Sequence, residues 1–248
     1  MQQTRILMGM PITVEIVDDS ATTADLDRIY TYFAGIDDRF STYKQCSEIT
    51  QLNMGHIAID QVSPLLHTVL TLSEQTKQAT DGYFDVWRDG GCDPSGLVKG
   101  WAIHEAAQLL RTQGFRNFYI EAGGDIQTAG VNATHESWRV GIRNPFDITQ
   151  IVKILYVGDC GVATSGNYIR GAHIYNPKSD LPLDPEIVSL TVIGPNVYEA
   201  DRFATAAFAM GRRGIAFIAN LPGFEGYQID QSGHATFTNG FERFTRYV

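Results

Sequence analysis

Residues 93 to 130, DPSGLVKGWAIHEAAQLLRTQGFRNFYIEAGGDIQTAG, string together a small-residue loop with one lysine, a helix, a strand and a diglycine turn ending in an acid. The loop Ser95-Gly96-Leu97-Val98-Lys99-Gly100 runs directly into a helical pattern that puts Ala102, Ala106, Leu109 and Leu110 on one face, with Gly114 where a left-handed C-terminal cap belongs. A flexible backbone and a lysine therefore stand at a helix N-terminus, where unpaired N–H groups and the positive end of the helix dipole suit an anionic group. Asn117 to Ala122 is rich in β-formers and is expected to be a strand, and Gly123-Gly124-Asp125 lets the end of that strand approach a ligand closely. The same residues also fit an ordinary helix–strand unit with a glycine-rich connection. The stretch contains neither the GxxxxGK[ST] phosphate loop nor the GxGxxG dinucleotide turn.

At 248 residues the chain can bury a substantial core as one large unit or two intimately packed lobes. A hydrophobic content of 44% with 24 glycines suits a globular α/β or α+β protein rich in tight turns. No apolar run approaches membrane-spanning length. The formal net charge of −9, with no offsetting Lys/Arg cluster, argues against nucleic acid as a partner, so an anionic ligand would need local basic residues or a bound cation. The start, MQQTRILMGMPITVEIVDD, does not read as a signal peptide, which leads one to expect a cytoplasmic protein or one whose leader has been removed. Cys46, Cys92 and Cys160 are odd in number and widely spaced, so free thiols are expected rather than a disulfide framework or a zinc site.

Outward from the central stretch, residues 12–17 alternate as a strand, and Thr22 or Thr23 can cap a helix carrying Leu26, Ile29, Phe33 and Ile36 on one face. In the segment 40–53, FSTYKQCSEITQLN, Ser47 and Glu48 resemble a helix start, and Tyr43 can either stack on a planar ligand or pack at the surface. Ser63-Pro64 opens a helix to about Thr80, and Thr80-Asp81-Gly82 is a turn. Strands are expected over 138–143, 152–157, 161–164 and 187–194, with Ser165 to Tyr168 breaking the sheet. His173, in the polar loop HIYNP beside a glycine-rich segment, is either a surface histidine or part of a site. The helix 198–210, capped by Gly211, sets Asp201 and Thr205 on one face, able to hold a hard cation. The alternative is that Asp201 serves the helix dipole and Thr205 bonds back to a carbonyl. Residues 226–248 are expected to form an edge hairpin turning at Asn239-Gly240.

Taken together, these blocks resemble the ApbE family of FAD:protein FMN transferases: MGM at Met8, FSTYKQCSEITQLN at Phe40, TDGYFDVW at Thr80, SGLVKGWAIHEA at Ser95, EAGGDIQTAG at Glu121, WRVGIRNP at Trp138, VATSGNYIR at Val162, HIYNP at His173 and VYEADRFATAAFAMG at Val197. The resemblance covers almost the whole chain, 1–248. It implies an α+β fold, a single unit of two interleaved α/β lobes with the ligand cleft between them. Departures fall at Trp101 and His104, where the family usually has tyrosine and an acid, and at Asn176 and Asp180 in and after HIYNP.

The resemblance further implies cleavage of FAD at its pyrophosphate, release of AMP, and esterification of FMN to a threonine or serine of an acceptor protein, a Mg²⁺-dependent phosphoryl transfer governed by positioning and charge neutralisation. It assigns Asp201, Thr205 and the carbonyl of Val98 to Mg²⁺, Lys99 to the diphosphate and His173 to the base that takes the acceptor proton. Tyr43, Asp125, Trp138 and Arg143 are placed around the nucleoside and flavin. An FAD pyrophosphatase and a non-catalytic flavin-binding protein are the competing readings. The family's acceptors carry D-x-x-[ST]-[GS]-[AS]-[TS]. The nearest match in this chain, residues 19–25, ends in Asp25 where the hydroxyl must stand, so the acceptor is expected to be a separate flavoprotein.

Overall fold

The computed structural model describes residues 1–167, 174–179 and 186–245. In chain order the elements are β1 (Gln2–Leu7), β2 (Met10–Ile16), α1 (Thr23–Phe40), α2 (Glu48–Asn53), α3 (Pro64–Ala79), β3 (Trp87–Arg88), β4 (Gly91–Cys92), α4 (Ser95–Thr112), β5 (Phe118–Ala122), β6 (Asp125–Ala129), β7 (Trp138–Asn144), β8 (Asp147–Val157), β9 (Cys160–Gly166), β10 (Ile187–Gly194), α5 (Val197–Ala209), α6 (Gly214–Ala219), β11 (Glu225–Asp230) and β12 (Ala235–Phe237). Eight strands form one sheet in the order β1-β2-β5-β6-β9-β10-β11-β12, and every neighbouring pair is antiparallel.

The period-2 alternation of the strands decides which layer each side chain joins. Phe118, Ile120 and Ala122 of β5 join Ile12, Val14 and Ile16 of β2 in a core shared with α1 and α4. Ile126 of β6 and Val162 of β9 point to the other face, which the β7–β8 hairpin covers with Trp138, Val140, Ile142, Leu155 and Val157. On β6, Gln127 is directed toward α5: its Oε1 accepts from the Val197 N–H at 2.9 Å, while its Nε2 donates to the Cys160 carbonyl at 2.9 Å. A buried glutamine thereby joins three elements with its polar groups satisfied. None of the described helices is long and apolar enough to cross a membrane.

The helix punctuation has visible physical causes. Ser63 Oγ accepts from Leu66 N at 3.2 Å, Ser47 Oγ from Thr50 N at 3.1 Å and Asn196 Oδ1 from Glu199 N at 2.9 Å. Asp25 accepts from the N–H and the hydroxyl of Thr22 at 2.9 and 2.6 Å, so the acid that departs from the acceptor pattern works at the start of α1. Gly114 (φ +95°) and Gly211 (φ +64°) take the left-handed conformation expected past helix ends.

Two expectations are corrected. The tail hairpin turns between β11 and β12, where Asp230 Oδ1 accepts from Ser232 N at 2.8 Å and His234 N at 2.9 Å and Gly233 has φ +81°. Asn239-Gly240 instead follows β12, with Gly240 N donating to Glu225 at 3.1 Å before a 3₁₀ turn over Phe241–Phe244. Ser165 does not break the sheet, because β9 continues through Gly166, which pairs with Ser189.

Candidate functional site

The turn after α3, the start of α4 and the middle of α5 meet β9 around an open cleft whose empty volume, solvent mouth included, is about 970 Å³. Asp81 (φ +50°) and Gly82 (φ +76°) are both left-handed, and this sharp turn sends Tyr83, Phe84 and Asp85 to the cleft wall. Ser95, Gly96 and Lys99 of α4 face them, with Asp201 and Thr205 of α5 beside Lys99.

The two glycines at the start of α4 differ here: a side chain at Gly96 would make ordinary contacts, whereas the proximity requires Gly100. A Cβ on Gly96 would lie 3.4 Å from Phe84 Cε2 and 3.5 Å from Thr205 Cγ2. One on Gly100 would lie 2.5 Å from Asp201 Cβ and 2.9 Å from the Val197 carbonyl oxygen, closer than side chains tolerate. The glycine-rich start of α4 thus serves helix–helix contact as well as backbone access. We expect Gly100→Ala to lower stability by about 1–3 kcal/mol and to lower activity with it, since overpacking displaces the helix that carries Asp201. Thermal unfolding beside a turnover assay measures both, and an unchanged Tm would show that the two helices adjust freely.

The electrostatics of the site centre on two buried carboxylates sharing one ammonium. Asp125 and Asp201 are 1% and 3% exposed. Lys99 Nζ makes an ion contact with Asp125 Oδ2 and lies 3.5 Å from Asp201 Oδ1. Asp201 Oδ2 accepts from Gly100 N at 2.9 Å, and Asp125 Oδ1 accepts from Thr164 N at 3.1 Å. Burial first, and then the neighbouring Asp125 carboxylate, pushes the Asp201 carboxyl up to about 8, against the pull of Lys99 and the Gly100 N–H. Asp201 lies beyond the first turn of α5, where Glu199 is the first-turn acid.

Of the residues singled out in the sequence, Lys99, Asp201 and Thr205 share the cleft wall. Val98 is buried in the first turn of α4. Asp125 reaches the group through Lys99. Tyr43 stands on the surface after α1, 96% exposed. Trp138 packs on the hairpin side of the sheet, its Nε1 donating to the Ala129 carbonyl at 2.9 Å, and Arg143 is exposed on β7, so neither lines the cleft. His173 lies outside the described residues, although its neighbours Ile174, Tyr175 and Pro177 line the wall. Sequence reasoning missed Tyr83, Phe84, Thr164 and Tyr175 as wall residues; the Asp81-Gly82 pair was the available signal for the first two.

A model of the ApbE family matches residues 8–90 and 87–227. The FAD:protein FMN transferase of Vibrio cholerae serotype O1 is 35% identical over 134 residues, covering 50% of this chain and 40% of that protein. That of Salmonella typhimurium is 29% identical over 150 residues, 57% and 43% of the two chains. The matched stretches thus span about two fifths of the length of those relatives. Among solved structures, flavin transferase ApbE from Vibrio cholerae superposes with a TM-score of 0.84 at 23% identity, covering 98% of both chains. The ApbE protein from Thermotoga maritima gives 0.86 at 20% identity over 100% and 99%. The fold is the one these structures share, and, with the family match running through the cleft-forming segments, this chain belongs to the ApbE family.

Proposed function

We propose that the protein transfers FMN from FAD to a threonine or serine hydroxyl of an acceptor flavoprotein, releasing AMP, with Mg²⁺ as cofactor. The observation that carries this reading is the meeting of a lysine, a helix N-terminus and an oxygen pair, the buried Asp201 and the half-buried Thr205, on one cleft wall. The names of the relatives point to the same reaction.

The residues present fit a hard divalent cation. Asp125 and Asp201 bring two buried carboxylates against the Lys99 ammonium, and Thr205 adds a hydroxyl one helical turn from Asp201. Asp201, Thr205 and the Val98 carbonyl would hold the ion. So few protein oxygens suit Mg²⁺, which keeps waters and substrate phosphates in its other positions. When bound, it would supply charge neutralisation and polarisation of the phosphoryl group.

Lys99 and the N-terminus of α4 hold the diphosphate at the cleft wall. The acceptor oxygen forms a bond to the FMN phosphorus, the bond from that phosphorus to the oxygen of AMP breaks, and AMP departs with the electron pair. His173 takes the hydroxyl proton, a role suited to an imidazole.

The test incubates the protein with FAD and Mg²⁺, with and without a protein carrying the acceptor pattern, and reads flavin fluorescence on a denaturing gel. A fluorescent acceptor band is expected, with none on this chain itself, because the site at 19–25 ends in Asp25. Free AMP and FMN without a band would mark a pyrophosphatase, and unchanged FAD a binding protein. Covalent FMN found on this chain by mass spectrometry would overturn the assignment of a separate acceptor.

A pH dependence follows from Asp201. Its carboxyl, raised to about 8, binds a proton in the folded protein that the unfolded chain has lost by about pH 4, so this group's contribution to stability falls as pH rises from about 4 to about 8. Mg²⁺ must displace that proton, so its affinity rises with pH until about 8. The increase in Tm on adding Mg²⁺ should therefore be larger at pH 8.5 than at pH 6.5. Equal increases at the two pH values would remove Asp201 from the metal site.

A further inference from the structure

We infer that Asp125 is a positioning residue that holds the Lys99 ammonium off Asp201, so that Asp201 Oδ1 stays available to a divalent cation while the lysine charge remains at the cleft. The inference rests on the metal assignment above and adds a role for a carboxylate that does not itself line the cleft.

The geometry divides the oxygens clearly. Asp201 Oδ2 is engaged by the Gly100 N–H at 2.9 Å, which leaves Oδ1 as the oxygen for which a lysine and a metal ion compete. Lys99 Nζ lies 3.5 Å from that Oδ1 but in closer ion contact with Asp125 Oδ2. Asp125 is itself held firmly: it begins β6 directly after Gly123 (φ +59°) and Gly124 (φ +96°), pairs with Ala122, and accepts from the Thr164 N–H at 3.1 Å through Oδ1. One carboxylate oxygen of each aspartate is thus fixed by a backbone N–H, and the two remaining oxygens face a single ammonium. Buried charges are poorly screened, so the lysine settles where the carboxylate charge is strongest and best presented. Neutralising Asp125 would leave Asp201 as the lysine's only buried carboxylate partner among the described residues. The ammonium would then occupy the oxygen that the ion requires.

Calorimetric titration of Mg²⁺ alone into the full chain tests this without reading activity. Asp125→Asn keeps the shape and the acceptor for Thr164 N while removing the charge, and should weaken Mg²⁺ binding about tenfold. Lys99→Met should bind Mg²⁺ at least as tightly as the unaltered chain. In the Lys99→Met background, adding Asp125→Asn should cost little, a strongly non-additive pair. A metal ligand or a purely structural residue behaves differently, weakening Mg²⁺ equally in both backgrounds; that result would overturn the inference while leaving the metal site standing. A tenfold loss in Lys99→Met alone would overturn it too, and this measurement stands even if Asp125→Asn does not fold. Absence of Mg²⁺ binding by the unaltered chain would overturn both the inference and the metal assignment beneath it.

Discussion

Replacing Asp201 with alanine is expected to reduce FMN transfer by roughly 100-fold or more, because it removes the only carboxylate assigned to the ion. The fold should survive. The residue lies on α5 with its backbone in regular helix, alanine is favourable there, and Lys99 keeps its ion contact with Asp125. A buried carboxyl held with a raised proton affinity is a weak source of stability, so Tm should move by no more than about 4 °C. The alternative reading, in which Asp201 serves only the helix dipole, fits poorly with Glu199 as the first-turn acid of α5. Nor, among the described residues, does the Thr205 hydroxyl bond back to a carbonyl. Near-normal turnover by Asp201→Ala in Mg²⁺, with circular dichroism unchanged, would withdraw the metal site.

The largest effect on stability is expected at Gly161. A Cβ there would lie 2.0 Å from Val197 N, 2.1 Å from the Asn196 carbonyl carbon and 2.3 Å from Val197 Cα, so it meets backbone that cannot rotate away. Gly161→Ala must therefore lift the first turn of α5 off the sheet and break the bond from Val197 N to Gln127 Oε1. Overpacking of this kind costs about 3 kcal/mol. In a chain of this size that amounts to a Tm lower by roughly 10 °C. Because α5 carries Asp201 and Thr205, activity should fall at temperatures where the variant is still folded. Gly35 provides the opposite case: it lies inside α1 with nothing within 4 Å of a built Cβ, so Gly35→Ala should raise stability by about 1 kcal/mol. If the two variants melted alike, the close approach of β9 to α5 would not be a source of stability.

Much of this architecture was legible because its signals are local. Ser63-Pro64, Gly114 and Gly211 mark helix ends through caps and positive φ, and the four-residue spacing of Asp201 and Thr205 places both on one wall. The elements that escaped lack such signals. Strand β1, QQTRIL, lies at the sheet edge and is mostly polar, so hydrophobic alternation does not announce it. Helix α6, GIAFIA, is a six-residue apolar run that periodicity alone cannot distinguish from a buried strand. In the site, the ion contact of Lys99 with Asp125 is a tertiary fact, brought about by α4 and β6 packing together. Trp138 shows the same limit in reverse: an aromatic residue suited to stacking on a flavin spends its ring on Tyr119, centroids 5.5 Å apart, on the other side of the sheet.

The order of strands in the sheet also bears on how the chain is made. Strands β9 and β10, and β11 and β12, pair with neighbours in sequence, whereas β2 must wait for β5, whose register sets Val14 opposite Ile120. About a hundred residues separate those partners, a delay of roughly 5–20 s at about 5–20 residues per second of synthesis. During that interval the nascent chain carries a two-stranded ribbon whose inner edge, with Ile12, Val14 and Ile16, has no partner. Such an edge invites pairing with other chains until β5 covers it, which makes early misassociation a hazard of this strand order.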